Sequence, residues 1–358
     1  LYIQNYTIMI REGGNTFQEA EPIRGDLAQL AVGDIINNLK NRFGQDISVA
    51  PQGSCVRTRP NSYCGDIDIL LQIKNADSNA DYESEISEIE EFIKKTWSES
   101  VSVIQQGALK NIISFTYPYN EDGQEKVAQV DIKLTHNFSW TKNFGTSLKK
   151  SGFKDALRKI IIKICASVVP YQGEDPDSHQ NEFFTVDDFR GKNGEDGQWA
   201  GEQKTQNRYI MDDEGLFFGR RQREGKKSPG FRTFKKYNRQ VPRWGAYDTK
   251  EFVTNKFASA LKIIFGPEVR RSDVRSVENL IRFLHSGRYA YASQENLNRI
   301  KEQVEFELER GGRGMGDDYM ERFDQLWDEY SGNNFSQLKE CNNFSLKFRD
   351  MMRRMSVL

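Results

Sequence analysis

Histidine is scarce in this chain of 358 residues: His136, His179 and His285 are the only three, and they lie far apart. The four cysteines, Cys55, Cys64, Cys165 and Cys341, show no CxxC spacing. A structural zinc site needs closely spaced Cys or His ligands, so none is expected. The thiols read as free cysteines of a reducing, cytoplasmic compartment. No apolar run approaches the length of a membrane span, and no signal-peptide pattern opens the sequence, so no membrane partner is expected. One-sided charge is also lacking. The formal net charge is −1, so any surface for a polyanion has to be local. With 37% hydrophobic and 29% charged residues, the chain reads as soluble and globular, with length for two or three lobes. It carries no internal repeat.

What is present is concentrated in QGSCVRTRPNSYCGDIDILLQI, residues 52–73. A Gly53-Ser54 turn precedes Asp66 and Asp68, and Asp131 follows in QVDIKL. Residues two apart on a strand share a face. Asp66 and Asp68 therefore project together, while Ile67, Ile69, Leu71 and Ile73 project into a core. On the second strand Ala128, Val130, Ile132 and Leu134 face inward, and Gln129, Asp131 and Lys133 share the polar face. If the two strands are neighbours, three carboxylates meet. Like charges that close repel unless a cation intervenes. Magnesium or manganese, as hard cations with oxygen ligands, fit that need, and two ions would hold both oxygens of an in-line displacement. A lone DxD is more often a solvated edge. The Gly-Ser turn and the VDIK strand shift the reading to a metal site. Gly53 lets backbone amides approach a phosphate, Ser54 can donate to it, and Arg57 and Arg59 can fork onto its oxygens. Lys154 and Arg158 are candidates to reach a triphosphate, although a solvated helix face explains them equally well. His136 reads as a strand-end polar residue rather than a general base.

Periodicity sets the surroundings. Helices are expected over 26–41, with Leu27, Leu30, Ala31, Ile35 and Leu39 inward, over 82–97, and over 153–168. Strands are expected over 47–50, 65–73, 111–117 and 126–135, the last two joined by a turn at 120–124. From Pro170 to Trp244 the texture becomes loop-rich, an insertion or a small β lobe, with one hairpin strand within 208–218. Asp248 and Glu251 read as a capping box for a helix over 249–264, ended by Gly266 and Pro267. Further helices are expected over 276–284, 293–310 and 317–330, with a glycine-rich break at 311–316. The expected fold is α+β. Residues 1–168 form a catalytic domain, 169–246 a basic lobe and 247–358 a helical domain.

The GS, GDIDILL and VDIKL strings together resemble the DNA polymerase beta nucleotidyltransferase superfamily, closest to its X-family pattern of Gly-Asp-x-Asp and Ile-Asp-x-Arg-Leu. The spacer from Gly53 to Gly65 is slightly longer than in those polymerases. The resemblance covers roughly residues 45–160. It implies a palm of mixed sheet backed by helices. It further implies Ser54 and Arg57 as triphosphate contacts, Asp66 and Asp68 as ligands of two metal ions, and Asp131 as ligand of the catalytic ion and activator of the acceptor hydroxyl. GFKDALRK, RYIMDDEGLFFGR and KIIFGPEVRRSDVRSVENL, in that order, are similar to nucleotidyltransferase-like proteins of phages and mobile elements. No helix-hairpin-helix glycine signature or lyase-type pattern is read in the residues ahead of the catalytic region, so gap-filling repair is not the expected activity, and Arg57-Thr58-Arg59-Pro60 replaces the RGT-type turn of second-messenger synthases.

Residues 218–243 add ten Lys and Arg against Glu224, interleaved with Phe231, Phe234 and Tyr237. Basic groups neutralise phosphates and aromatics stack on unpaired bases. Arg220, Arg221, Lys235, Lys236 and Arg239 are the candidate contacts to an RNA or DNA acceptor. The expected activity is transfer of a nucleoside monophosphate from a nucleoside triphosphate to a 3′-hydroxyl. The alternatives are transfer to a protein, a tRNA end or a second nucleotide, or a non-catalytic nucleic-acid binder.

Overall fold

A computed structural model of the chain describes residues 16–56, 58–73, 79–106, 109–145, 153, 155–169, 204–223, 231–237, 239–242, 246–310 and 317–331. Arg57, Lys154, the glycine-rich 311–316, and Lys226, Lys227, Arg243 and Trp244 of the basic segment lie outside the described residues. The chain is α+β and divides into two compact units, 1–146 and 147–358. The helix expected at 153–168 falls in the second of them.

The first unit is built on a five-stranded mixed sheet of β2 (Val49–Gln52), β4 (Asp66–Gln72), β5 (Val101–Gln106), β6 (Leu109–Glu121) and β7 (Gln124–Thr135). Its order is β2-β4-β7-β6-β5, and only β4 and β7 run parallel. Pro51 sits on the edge strand β2, where a missing N–H costs no ladder bond. β6 and β7 form a long hairpin closed by Asp122-Gly123, with φ of 53° and 84°. Two left-handed residues give the turn that matches strand twist, and Asp-Gly is the sequence that tolerates it. A short pair, β1 (Ile23–Arg24) with β3 (Tyr63–Cys64), stands apart from the main sheet.

One face of the sheet is the core. Ile67, Ile69, Ile113, Phe115, Val130 and Ile132 are fully buried there, under α1 (Gly25–Phe43) and α2 (Asn79–Thr96). Each such side chain contributes roughly 1.5–3 kcal/mol of transfer free energy. α1 buries Ala28, Ala31, Val32, Ile35 and Leu39, whereas Leu30, expected inward, is 72% exposed. Asp34 on α1 anchors that layer by accepting from Trp97 Nε1 and Tyr117 Oη, each at 3.1 Å. The opposite face carries a helix that periodicity did not suggest, α3 (Phe138–Gly145). Asn137 caps it, its side-chain oxygen accepting from the Trp140 N–H at 3.0 Å, and Trp140 and Phe144 are buried beneath it.

The second unit opens with α4 (Asp155–Ser167). It continues into a three-stranded antiparallel sheet in the order β12-β9-β8, from β8 (Lys204–Met211), β9 (Leu216–Arg223) and β12 (Thr249–Thr254). A ribbon of β10 (Phe231–Phe234) and β11 (Arg239–Pro242) accompanies it, so β structure fills the described part of the expected loop-rich stretch. The helix expected over 249–264 is corrected. Thr249–Thr254 pairs with β9, the Asp248 N–H donates to the Arg220 carbonyl, and only Phe257–Phe265 (α5) is helical. The β-branched and aromatic residues of TKEFVT, with Phe252 edge-on to Phe217 at 5.6 Å, outweigh the capping signal. The expected stop holds: Gly266 takes φ 97°, and its N–H closes on Lys262. α6 (Val277–Leu284) and α7 (Gln294–Glu309) begin at Ser276 and Ser293, whose hydroxyls accept from backbone N–H groups three residues on. α8 (Asp317–Ser331) completes the described chain. Among the described residues no helix is long and apolar enough to cross a membrane.

Candidate metal centre

The register of the one parallel pair decides the site. On β4 and β7, Asp68 lies opposite Asp131 and Asp66 opposite Gln129. Since alternate residues share a face, all four project from the side away from α1 and α2. Asp66, Asp68 and Asp131 each offer a carboxylate oxygen within 4.8 Å of the other two. At that spacing, and at an effective dielectric of about 20, each pair of full charges repels by roughly 3 kcal/mol. A divalent cation reverses the sign. Three hard oxygen donors at one point, with no histidine or cysteine among them, could hold a hard divalent cation. Burial raises the Asp131 carboxyl above its ordinary range, and Ser114 and Gln129 pull it part of the way back.

Gly53 closes the site from the β2 end. Its φ is +67°, and a Cβ built on it would lie 1.8 Å from Asp68 Oδ2. The glycine is therefore what allows the turn to pass over that carboxylate. Ser54 is exposed, and its carbonyl is occupied by the Thr58 N–H and hydroxyl at 3.0 and 2.9 Å. Cys55 is buried, donates its thiol to the Gln52 carbonyl, and has its pKa pushed up to about 12 by burial first. It is structural rather than reactive.

The basic candidates are dispersed. Arg158 is 1% exposed and donates Nη1 to the Val274 carbonyl at 3.0 Å. It is a core arginine of the second unit, so the solvated helix face offered as its alternative reading is corrected by burial. Arg220 is exposed on β9, but its neighbour Arg221 is buried with its guanidinium 4.7 Å over the Tyr247 ring. Burial, then the nearby Arg208, lowers Arg221 to about 9. Lys235 is exposed. Lys236 is committed inside its own unit, its ammonium 2.9 Å from the fully buried Glu305 and 2.9 Å from the half-buried Asp324. The backbone N–H groups of Lys235 and Lys236 both donate to Glu309. Arg239 lies on β11.

Two polar residues beside the aspartates carry more than their sequence suggested. Gln129 is 2% exposed, and its Nε2 donates to both Asp131 oxygens at 3.0 and 3.2 Å. Gln52, opposite Asp68 on β2, is buried with Nε2 unpartnered among the described residues. The only advance signal was their place on the polar faces of the two flanking strands.

No family model matches the sequence, and no curated protein matches it. Among solved structures the chain is similar to Leishmania infantum polymerase beta in a ternary gap complex, with 15% identity and a TM-score of 0.34. That match covers 55% of this chain and 51% of the other, so the chain spans about half the length of that polymerase chain. It is also similar to the same polymerase in a ternary P/T complex, with 14% identity and a TM-score of 0.39, over 71% of this chain and 76% of that one.

Proposed function

We propose that the chain is a metal-dependent nucleotidyltransferase that moves a nucleoside monophosphate from a nucleoside triphosphate to the 3′-hydroxyl of a polynucleotide, releasing pyrophosphate. The observation that carries this reading is the convergence of Asp66, Asp68 and Asp131 within 4.8 Å, on adjacent parallel strands, with Gly53 against Asp68. Asp66 and Asp68 would ligate two divalent ions and Asp131 one of them; when bound, the ions neutralise phosphate charge and acidify the acceptor hydroxyl. Asp131 accepts the acceptor proton. The freed oxygen bonds to the α-phosphorus as the bond to the bridging oxygen breaks and pyrophosphate leaves. The Gly53 N–H and the Ser54 hydroxyl hold the departing phosphates, with Arg57 as their cationic partner. Most of the rate comes from positioning and charge neutralisation. In this reading the first unit, 1–146, is the catalytic palm, and within the second unit 169–246 is the acceptor-binding lobe and 247–358 a helical support.

The test is extension of a labelled oligonucleotide with each of the eight triphosphates, in magnesium and in manganese. Incorporation that disappears in Asp131→Asn supports the reading. Labelling of the protein itself, or free cyclic or linear nucleotide products alone, refutes the polynucleotide acceptor and keeps the chemistry.

A second reading, transfer to a small or protein hydroxyl, is favoured by one observation. Arg221 and Lys236, two of the five basic candidates, are committed to intramolecular contacts. Removing the exposed charges Arg220 and Lys235 together separates the two: a polynucleotide reaction falls at least tenfold, and a small-acceptor reaction does not change.

A further inference from the structure

We propose that Gln129 is the positioning residue that holds Asp131 in a cation-ligating orientation, and that the N-terminal segment at Thr16 holds Gln129. The inference rests on the cation-site reading above and goes beyond it, since neither residue is a ligand. Gln129 sits two residues before Asp131 on β7, on the same face and opposite Asp66. One amide hydrogen of Nε2 is shared between Asp131 Oδ1 and Oδ2, at 3.0 and 3.2 Å. The other points to Thr16 Oγ1 at 3.4 Å, and Oε1 accepts from the Thr16 N–H at 2.9 Å. Both ends of the amide are therefore used. The backbone N–H of Thr16 fixes which end is oxygen, because a flipped amide would set its oxygen against the carboxylate and its nitrogen against a donor.

This arrangement does something a cation could not. A lysine or arginine at this place would pair with the carboxylates and compete with a divalent ion for them. A neutral amide orients Asp131 and leaves the negative charge of the cluster intact. Locking a carboxylate that must later ligate also reduces the ordering cost of cation binding. The reach extends past β7. The Glu21 N–H donates to the Val127 carbonyl at 2.9 Å, so residues 16–21 run beside the strand that carries Gln129 and Asp131. Displacing that segment would release Gln129, and with it the fixed orientation of Asp131.

The experiment measures Mn2+ binding to the folded, full-length protein by calorimetry, with circular dichroism as the folding control. Gln129→Met keeps the volume and removes the amide, with Gln129→Ala as the second variant. Each is expected to weaken Mn2+ binding by about 10–100-fold, the usual consequence of losing a partner behind a ligand. In an Asp131→Asn background the same substitution should change the affinity less than about twofold, because its effect runs through Asp131. Thr16→Pro, which deletes the N–H donor, should weaken binding in the same direction, and Thr16→Ala, which keeps it, should do so less. A merely structural role would lower the melting temperature and leave the affinity of the folded protein alone. Wild-type binding with unchanged affinity in Gln129→Met overturns this proposal while the cation site stands. Absence of Mn2+ binding by the wild type overturns both.

Discussion

Replacing Gly53 by alanine gives the sharpest test of how the Gly-Ser turn serves the aspartates. The new methyl would sit 1.8 Å from Asp68 Oδ2, 2.8 Å from its Cγ and 3.1 Å from its Cβ. Ordinary carbon contacts begin at about 3.5 Å, so the carboxylate must retreat by roughly 1.5 Å. It can do so by rotating, which is inexpensive for the fold but moves Asp68 off the point where it meets Asp66 and Asp131. The backbone adds its own cost, since φ of +67° disfavours an L side chain by roughly 1–2 kcal/mol. The expected outcome is therefore unequal: about 1–3 kcal/mol in urea unfolding, but a fall of about 100-fold or more in the proposed nucleotide transfer, because 1 Å of misplacement suffices for that. Mn2+ binding should weaken in parallel. Gly65→Ala is the matched control. It stands directly before Asp66, its φ lies outside the left-handed region, and a Cβ there would meet nothing within 4 Å. It should stay within about 1 kcal/mol of wild type and keep its Mn2+ affinity. Wild-type Mn2+ affinity in Gly53→Ala, or equal losses in both variants, would refute the steric argument.

Further outcomes follow from the burial of charge. Asp131 has a raised folded-state pKa, so its contribution to stability is present at low pH and lost as pH rises through that pKa. At neutral pH it costs stability, and Asp131→Asn should melt above wild type in EDTA; a lower melting temperature would contradict this. His285 is buried against Trp327 at 4.8 Å, and burial, then Lys301, lowers it to about 4. The unfolded chain takes up the proton first, so stability drops as pH falls from about 6.5 to 4, by up to roughly 3 kcal/mol. Urea titrations should show that slope flattened in His285→Phe, and an unchanged slope would remove His285 as its source. Lys236→Ala removes the 2.9 Å ion pair from the Glu305 carboxylate, which is 0% exposed and keeps Lys301 at 3.9 Å. A loss of roughly 2–3 kcal/mol is expected, less than for a fully isolated buried charge because Lys301 remains. Lys235→Ala, on an exposed side chain, should be near neutral in the same assay.

The aspartate site was legible because strand alternation is a strict code. Once DIDILL and AQVDIKL are strands of one sheet, the faces of Asp66, Asp68 and Asp131 follow without further information. Asp122-Gly123 fixed the hairpin for the same local reason. The relative shift of β4 and β7 was not legible, because a parallel pair has no connecting turn to set its register. Gln129 shows the same limit: alternation put it on the right face but said nothing of Thr16, more than a hundred positions earlier. α3 escaped because eight residues give too little periodicity, and its stability comes from Trp140 and Phe144 packing rather than propensity. The partners of Arg158 and Lys236 were not legible for a common reason. A charged side chain looks solvated in sequence unless its buried partner can be seen, and Val274 and Glu305 are remote along the chain. TKEFVT was the reverse case, a plausible helix start overruled by a strand partner at Phe217.

The parallel join between β4 and β7 has a consequence for the order in which the molecule forms. The β6–β7 hairpin can zip from its own tight turn, presenting Asp131 beside Ser114 while the other two acids are still remote. Only the slow, long-range arrival of β4 gathers the negative charges, so electrostatic opposition is greatest at the last stage of assembly. Divalent ions in the refolding buffer would thus hasten completion of the sheet, and chelation would retard it, before any substrate is met.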